Sequence, residues 1–129
     1  MENSSLKRTR TSTIRLGDDG IVRVVMSEAT IETLDEAQEN IAAISEVAHG
    51  RLVPVLVDFR LVRSQDRQAR EYYAGAETAK VITSVALLTG SPLSRVVANF
   101  FLGLNKPLYP TRLFTKESEA LEWLKGYVG

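Results

Sequence analysis

Apolar positions along the chain follow two spacings, one typical of strands and one typical of helices. Apolar residues at 14 and 16, a Gly-Asp-Asp-Gly turn at 17–20 and an apolar run at 21–26 predict two antiparallel strands. Residues 53–59 are almost continuously apolar and rich in valine, as expected for a central parallel strand covered on both faces. Residues 83–89 and 111–114 predict two further strands.

Between these strands, apolar residues recur every three or four positions, which predicts helices. Thr30 is the predicted N-cap of the first helix, and Gly50 follows its end. The apolar side of this helix consists of residues at helical spacing: Ile31, Leu34, Ile41, Ile44 and Val47. The second helix is predicted to begin near Ser64, the third at Ser91, and the last after Thr115.

The predicted order of elements is β-β-α-β-α-β-α-β-α, which defines the class as α/β. We expect a single mixed, mostly parallel sheet of five strands, antiparallel only at its N-terminal edge strand. Right-handed crossovers divide the four helices between its two faces. Residues 1–12 are polar and basic and are predicted to form a flexible arm, whereas residues 13–129 form one domain.

The amino-acid composition limits the classes of protein to which the chain can belong. The chain has 129 residues, 44% of them hydrophobic, which suits one globular domain with one core. No apolar run approaches the roughly 18 residues of a membrane span, and no secretory signal is found, so we expect a cytoplasmic protein without membrane insertion. The chain contains no cysteine, which excludes disulfides and thiolate metal sites.

Charge is balanced overall but unevenly distributed. The 16 basic and 16 acidic residues give a net charge of zero, which argues against general nucleic-acid binding. Residues 28–49 contain only acids among their Asp, Glu, Lys and Arg positions: Glu28, Glu32, Asp35, Glu36, Glu39 and Glu46. We predict that these acids form a solvated helix face. His49 is predicted to lie in the last turn of the same helix.

A candidate ligand site lies at the carboxyl ends of the strands, where open α/β sheets bind ligands. Arginines near these ends and the predicted helix N-termini suit an anion. The candidate ligand-binding residues are Arg60, Arg63, Ser64, Ser91 and Arg95. The alternative for arginines in this region, which include Arg67, is internal salt bridges to Asp58, Asp66 or Glu71.

The predicted third helix is apolar nearly all round, whereas one sheet can cover only one stripe of a helix. Phe100 and Phe101 are therefore candidate interface residues, and we predict a homodimer.

Enzyme motifs are missing from the sequence. It has no Gly-x-Ser-x-Gly elbow, no Gly-Lys-Ser/Thr phosphate loop, no Gly-x-Gly-x-x-Gly fingerprint and no His/Cys cluster. We therefore predict no catalytic residue, no cofactor and no metal. A phosphoacceptor receiver domain is the enzyme-like alternative, since Asp58, Thr89 and Lys116 follow successive strands, but its acid pair is replaced by Ser27 and Glu28.

The order of elements and the segments V-P-V-L-V-D-F-R and A-L-L-T-G-S-P-L-S-R together resemble the SpoIIAA-like branch of the STAS fold. This fold comprises sulfate-transporter and anti-sigma-factor-antagonist domains. The resemblance spans residues 14–127 and implies a domain that binds proteins or small ligands without turning them over. Members that act as switches carry an Asp-Ser-Ser-Gly-like phosphorylation turn, where this chain has Arg63, Ser64 and Gln65.

Two functions follow as expectations. The first is a non-enzymatic interaction or regulatory domain acting on a protein partner. The second is a binder of a small anionic or lipid-like ligand at the carboxyl ends of the strands.

Overall fold

The computed structural model describes residues 6–27, 30–60, 62–90 and 106–129, which contain eight strands and four helices. The strands are β1 (Leu6–Arg8), β2 (Ser12–Leu16), β3 (Val22–Met26), β4 (Thr30–Glu32), β5 (Val53–Asp58), β6 (Val62–Gln65), β7 (Ile82–Leu88) and β8 (Thr111–Phe114). The helices are α1 (Leu34–Val47), α2 (Arg67–Ala74), α3 (Ala76–Ala79) and α4 (Glu117–Lys125).

Six strands form the main sheet, in the order β1-β2-β3-β5-β7-β8. The last four are mutually parallel, and β2 is antiparallel to both of its neighbours. The predicted mixed, mostly parallel sheet is confirmed, but the expected number of five strands is too low. Residues 6–8, predicted to lie in the polar arm, form the edge strand β1, so β2 is not the edge.

A separate two-stranded parallel sheet of β4 and β6, here called the β4–β6 ribbon, was not predicted. Its strands have only three and four residues, too few to show an alternating pattern. The ribbon precedes both α1 and α2, and it therefore sets where each helix begins.

The helices lie on both faces of the main sheet, as predicted. On one face, side chains of α1 and α2 pack against β3, β5 and β7; on the other, Ala120 and Leu124 of α4 pack against Leu56 and Ala86. The predicted third helix, with Phe100 and Phe101, lies outside the described residues. No helix of the described ranges is long and apolar enough to cross a membrane.

Helix α1 begins later than predicted. Its N-cap is Thr33, because Thr30 is the first residue of β4, which continues to Glu32. One carboxylate oxygen of Glu36 accepts hydrogen bonds from the Thr33 backbone N–H at 2.7 Å and from the Thr33 hydroxyl at 2.5 Å. At the other end, His49 lies beyond the last helical residue in a left-handed conformation, with φ of 54°.

Helix α2 also begins later than predicted. Ser64 belongs to β6, and Asp66 is the N-cap, since its carboxylate accepts a hydrogen bond from the Ala69 N–H at 2.8 Å. Arg63 is therefore a strand residue. Gly75 then separates α2 from the single turn of α3, so the predicted second helix is divided.

The acids of α1 do not all face open solvent. Arg10 lies 2.9 Å from Glu39 and 3.4 Å from Glu36, and Lys7 of β1 lies 3.3 Å from Glu46. These pairs are exposed, and such pairs contribute little stability individually. These ion pairs nevertheless hold Lys7 and Arg10 beside α1.

The position of the α1 cap gives a testable prediction. Thr33→Ala should lower the free energy of unfolding by about 1 kcal/mol, because the helix loses its N-cap side chain. Thr30→Ala, at the cap position that the sequence suggests, is the matched control and should cost clearly less. Urea denaturation of both variants measures the difference. An equal or larger loss of stability in Thr30→Ala would contradict the assignment of Thr33 as the N-cap of α1.

Candidate functional site

A buried carboxylate joins the ribbon to the rest of the domain. Glu32, the last residue of β4, has no solvent exposure. Its carboxylate accepts hydrogen bonds from Asn40 Nδ2 at 2.7 Å, Thr11 Oγ1 at 2.9 Å and Gln65 Nε2 at 3.0 Å. The Tyr73 hydroxyl lies 3.1 Å from both carboxylate oxygens and donates to them. We call these five residues the Glu32 cluster.

The local fold explains this convergence. Parallel pairing of β4 with β6 places Glu32 opposite Gln65, and the Asp66 N–H donates to the Glu32 carbonyl at 2.9 Å. Asn40 lies on α1 and Tyr73 lies on α2, the two helices that follow the ribbon strands. The four donors to the carboxylate therefore come from four different segments of the chain.

Asn40 orients the cluster. Its Nδ2 also donates to Thr11 Oγ1 at 2.9 Å and to the Tyr73 hydroxyl at 3.0 Å. Its Oδ1 accepts from the Ser12 hydroxyl at 2.8 Å and from the Thr9 hydroxyl. Because Asn40 Nδ2 can only donate and the carboxylate accepts, the hydroxyl oxygens of Thr11 and Tyr73 accept from Asn40 and their hydrogens point towards Glu32.

The electrostatics of the cluster are set by burial. Burial raises the pKa of Glu32, and the hydrogen bonds from Gln65, Thr11, Tyr73 and Asn40 oppose this shift without cancelling it. The pKa of Tyr73 is raised well above its ordinary value by burial and by the charge of Glu32. Among the described residues, the ion pairs do not include Glu32.

A cavity of about 70 Å³ adjoins the cluster, between the main sheet and the helices on the α1 side. Four members of the cluster, Glu32, Asn40, Gln65 and Tyr73, line it. The remaining lining is apolar except for Thr78, Tyr109 and Thr111. Its apolar residues are Val24, Met26, Ile41, Ile44, Val55, Val57, Phe59, Ile82, Val85 and Leu87. The arrangement suits the enclosure of a small molecule.

The residues predicted to bind an anion are only partly described. Arg60 is bonded to Asp58 through two contacts, Nε to Oδ1 at 2.8 Å and Nη2 to Oδ2 at 2.6 Å, and these bonds lower the pKa of Asp58. Arg67 pairs with Glu71 at 3.0 Å. Both arginines thus form internal salt bridges, the alternative considered from sequence.

The other predicted site residues lie outside what is described. The backbone of Arg63 and Ser64 is in β6, but their side chains are not among the described ones. Ser91, Arg95, Phe100 and Phe101 lie outside the described residues altogether. The anion site therefore stays a prediction, and the structure instead draws attention to Glu32.

The sequence does not predict the Glu32 cluster, because its pattern places Glu32 among the acids of the first helix face. One signal could have corrected this. Residues 33–36 read Thr-Leu-Asp-Glu, which matches the capping-box pattern and starts the helix after Glu32. Contacts with Tyr73, 41 positions away, leave no comparable local signal.

Within the described part of the chain, no group of three or more Asp, Glu or His side chains is placed to hold a metal ion.

The fold and the comparisons place the chain in a class. Its α/β architecture is SpoIIAA-like. It is similar to the crystal structure of an uncharacterized protein of the DUF3478 family with a SpoIIAA-like fold from Shewanella loihica PV-4. The TM-score is 0.56 and the identity 13%, with 92% of this chain and 90% of that chain covered.

The family follows from the sequence match. Residues 14–128 match the family described as a domain of unknown function, DUF7793, and the chain belongs to that family. It is also similar to a protein with unknown function from Arthrobacter sp. FB24, at 34% identity over 86% of this chain and 96% of that chain, with a TM-score of 0.35. No curated protein matches the chain.

Burial of Glu32 gives a prediction about pH. A raised pKa means that the folded state binds the Glu32 proton more tightly than the unfolded state does. The free energy of unfolding of the natural chain, relative to that of Glu32→Gln, should therefore fall as pH rises from 4.5 through the raised pKa of Glu32. The slope of this fall corresponds to the release of at most one proton.

Urea denaturation of the natural chain and Glu32→Gln at intervals between pH 4 and 8 tests this, since the other carboxylates titrate in both proteins. Tyr73, the one other titratable member of the cluster, ionises only above this range. If the stability of the natural chain relative to Glu32→Gln instead rises with pH, the prediction is wrong. The four donors then stabilise the ionised carboxylate by more than burial destabilises it.

Proposed function

We propose that this chain is a non-enzymatic regulatory domain that binds a small molecule in the cavity beside the Glu32 cluster. The observation that carries the proposal is the cavity of about 70 Å³ itself, which lies between the sheet and α1 and has a buried polar cluster at its wall. Concave, mostly apolar sites with a few convergent polar groups are the usual form of small-molecule sites.

The location of the cavity supports the proposal. Met26 is the last residue of β3, and Phe59 directly follows β5, so the lining reaches the carboxyl ends of two adjacent parallel strands. This is where open α/β sheets bind ligands. The lining also includes Ile41 of α1 and Tyr73 of α2, so an occupant would contact both helices that follow the ribbon.

The size of the cavity limits the ligand. A dry cavity of about 150 Å³ accepts benzene, so half that volume suits about three or four non-hydrogen atoms. At the ceiling of about 1.5 kcal/mol for each atom, the dissociation constant of such a ligand is no lower than about 40 to 500 μM.

The wider role stays part of the proposal. The SpoIIAA-like fold supports membership of the STAS branch, whose resemblance implies domains that bind proteins or small ligands. A protein partner, a homodimer through Phe100 and Phe101, and a cytoplasmic location are proposed on the same basis. The anion site around Arg60 is a weaker candidate, because Asp58 already neutralises that arginine.

Xenon binding tests the proposed site, because xenon enters dry apolar cavities without specific contacts. In a methyl NMR titration, we expect shifts of Val24, Val55 and Leu87, which line the cavity. Val85→Ile adds a methyl group to the same wall and should weaken xenon binding several-fold. Val25→Ile is the matched control, since Val25 is 49% exposed and does not line the cavity.

Two results would contradict the proposal. One is the absence of any response at the cavity methyl groups. The other is an equal loss of xenon binding in Val85→Ile and Val25→Ile, which would place the xenon elsewhere.

A further inference from the structure

The polar groups that line the cavity already have partners within the protein. Glu32 accepts from all four other members of its cluster. The Thr78 hydroxyl donates to the Tyr72 carbonyl at 2.8 Å, and the Thr111 hydroxyl donates to the Tyr109 carbonyl at 3.1 Å. The Tyr109 hydroxyl donates to the Tyr73 carbonyl. A ligand that accepts a hydrogen bond from the hydroxyl of Thr78, Thr111 or Tyr109 would therefore have to displace an existing hydrogen bond, at the cost of an unsatisfied buried group.

Unpartnered buried hydroxyls do occur, but elsewhere. The side-chain oxygens of Thr83 and Ser84 are buried and have no hydrogen-bond partner among the described residues. Both residues lie on β7, and neither lines the cavity. The described residues that line the cavity thus differ from β7, because none of them has a buried side-chain nitrogen or oxygen atom without a hydrogen-bond partner.

Charge excludes ions of either sign. An anion would lie beside the buried carboxylate of Glu32, and no described lysine or arginine pairs with that carboxylate to compensate. A cation would need lone pairs of Glu32, but a carboxylate offers about four, and its two oxygens already accept from four donors. An uncharged ligand avoids both costs.

We propose that the cavity binds an uncharged aliphatic group of about three or four carbons, and that the Glu32 cluster is a fixed wall of the site that does not itself bind the ligand. This inference rests on the proposed function. The facing side chains are branched and apolar, with Val24, Ile44, Val55, Ile82, Val85 and Leu87 in the lining. Each methylene group that enters should strengthen binding about fourfold.

Propane, propionate and propylammonium test the ligand class, because they are similar in size and differ in charge. Methyl NMR titrations of the full chain at equal free concentrations should show propane at Val24, Val55 and Val85, with ethane binding about fourfold more weakly. Neither ion should shift these methyl groups. Val25→Ile, at an exposed position outside the cavity, should leave the propane affinity unchanged within about twofold.

A second variant tests the apolar character of the ligand. Thr111→Val replaces a lining hydroxyl by a methyl group, and it should bind propane at least as tightly as the natural chain does. Stronger binding of propylammonium or propionate than of propane would overturn the aliphatic class, as would loss of propane binding in a folded Thr111→Val. Xenon separates the two proposals: if xenon binds and propane does not, only the ligand class fails, and if neither binds, the proposed function fails with it.

Discussion

The structure depends on the burial of one carboxylate. Glu32 is fully buried, burial raises its pKa, and its partners are four neutral donors. Removing a partner of a buried charge costs far more than the partner's own net contribution, because the charge is left unsatisfied. Since Thr11, Asn40, Gln65 and Tyr73 come from four segments, a shift of any one segment carries this penalty. The carboxylate therefore fixes the β4–β6 ribbon, α1 and α2 relative to one another.

The hydrogen bonds to Glu32 also explain why neighbouring side chains do not repack to close the cavity. A void of about 70 Å³ costs roughly 2 kcal/mol at about 24 cal/mol for each Å³. Cores reduce such costs when neighbouring side chains collapse into the space. Here Asn40 and Tyr73 cannot follow such a movement, because each is held by hydrogen bonds to Glu32. On the proposed function, a ligand that fills the void recovers part of this cost, and the rigidity of the wall is what makes the site selective.

The main sheet could be predicted because its pattern is local. The valine-rich run that became β5 and the apolar run that became β7 are buried on both faces, and the glycine turn before β3 fixes a hairpin. The ribbon could not be predicted, since three- and four-residue strands carry no period. That omission moved the predicted starts of two helices, from Thr33 to Thr30 and from Asp66 to Ser64. It also assigned Glu32 to a solvated face, because the contacts that bury it join residues up to 41 positions apart.

The position of the cavity also bears on regulation. Helix α1 contributes Ile41 and Ile44 to the lining, while acids on its outer side, such as Glu39, pair with basic residues near the N-terminus. A 14-residue helix moves largely as one body, so a displacement at its inner side also changes its outer side. On the proposed function, an occupant of the cavity would thereby alter the surface formed by α1 and β1. An enzyme needs its reacting groups to meet the substrate, whereas this arrangement requires only that the ligand change the relative stability of two packings of α1, which is sufficient for a regulatory domain.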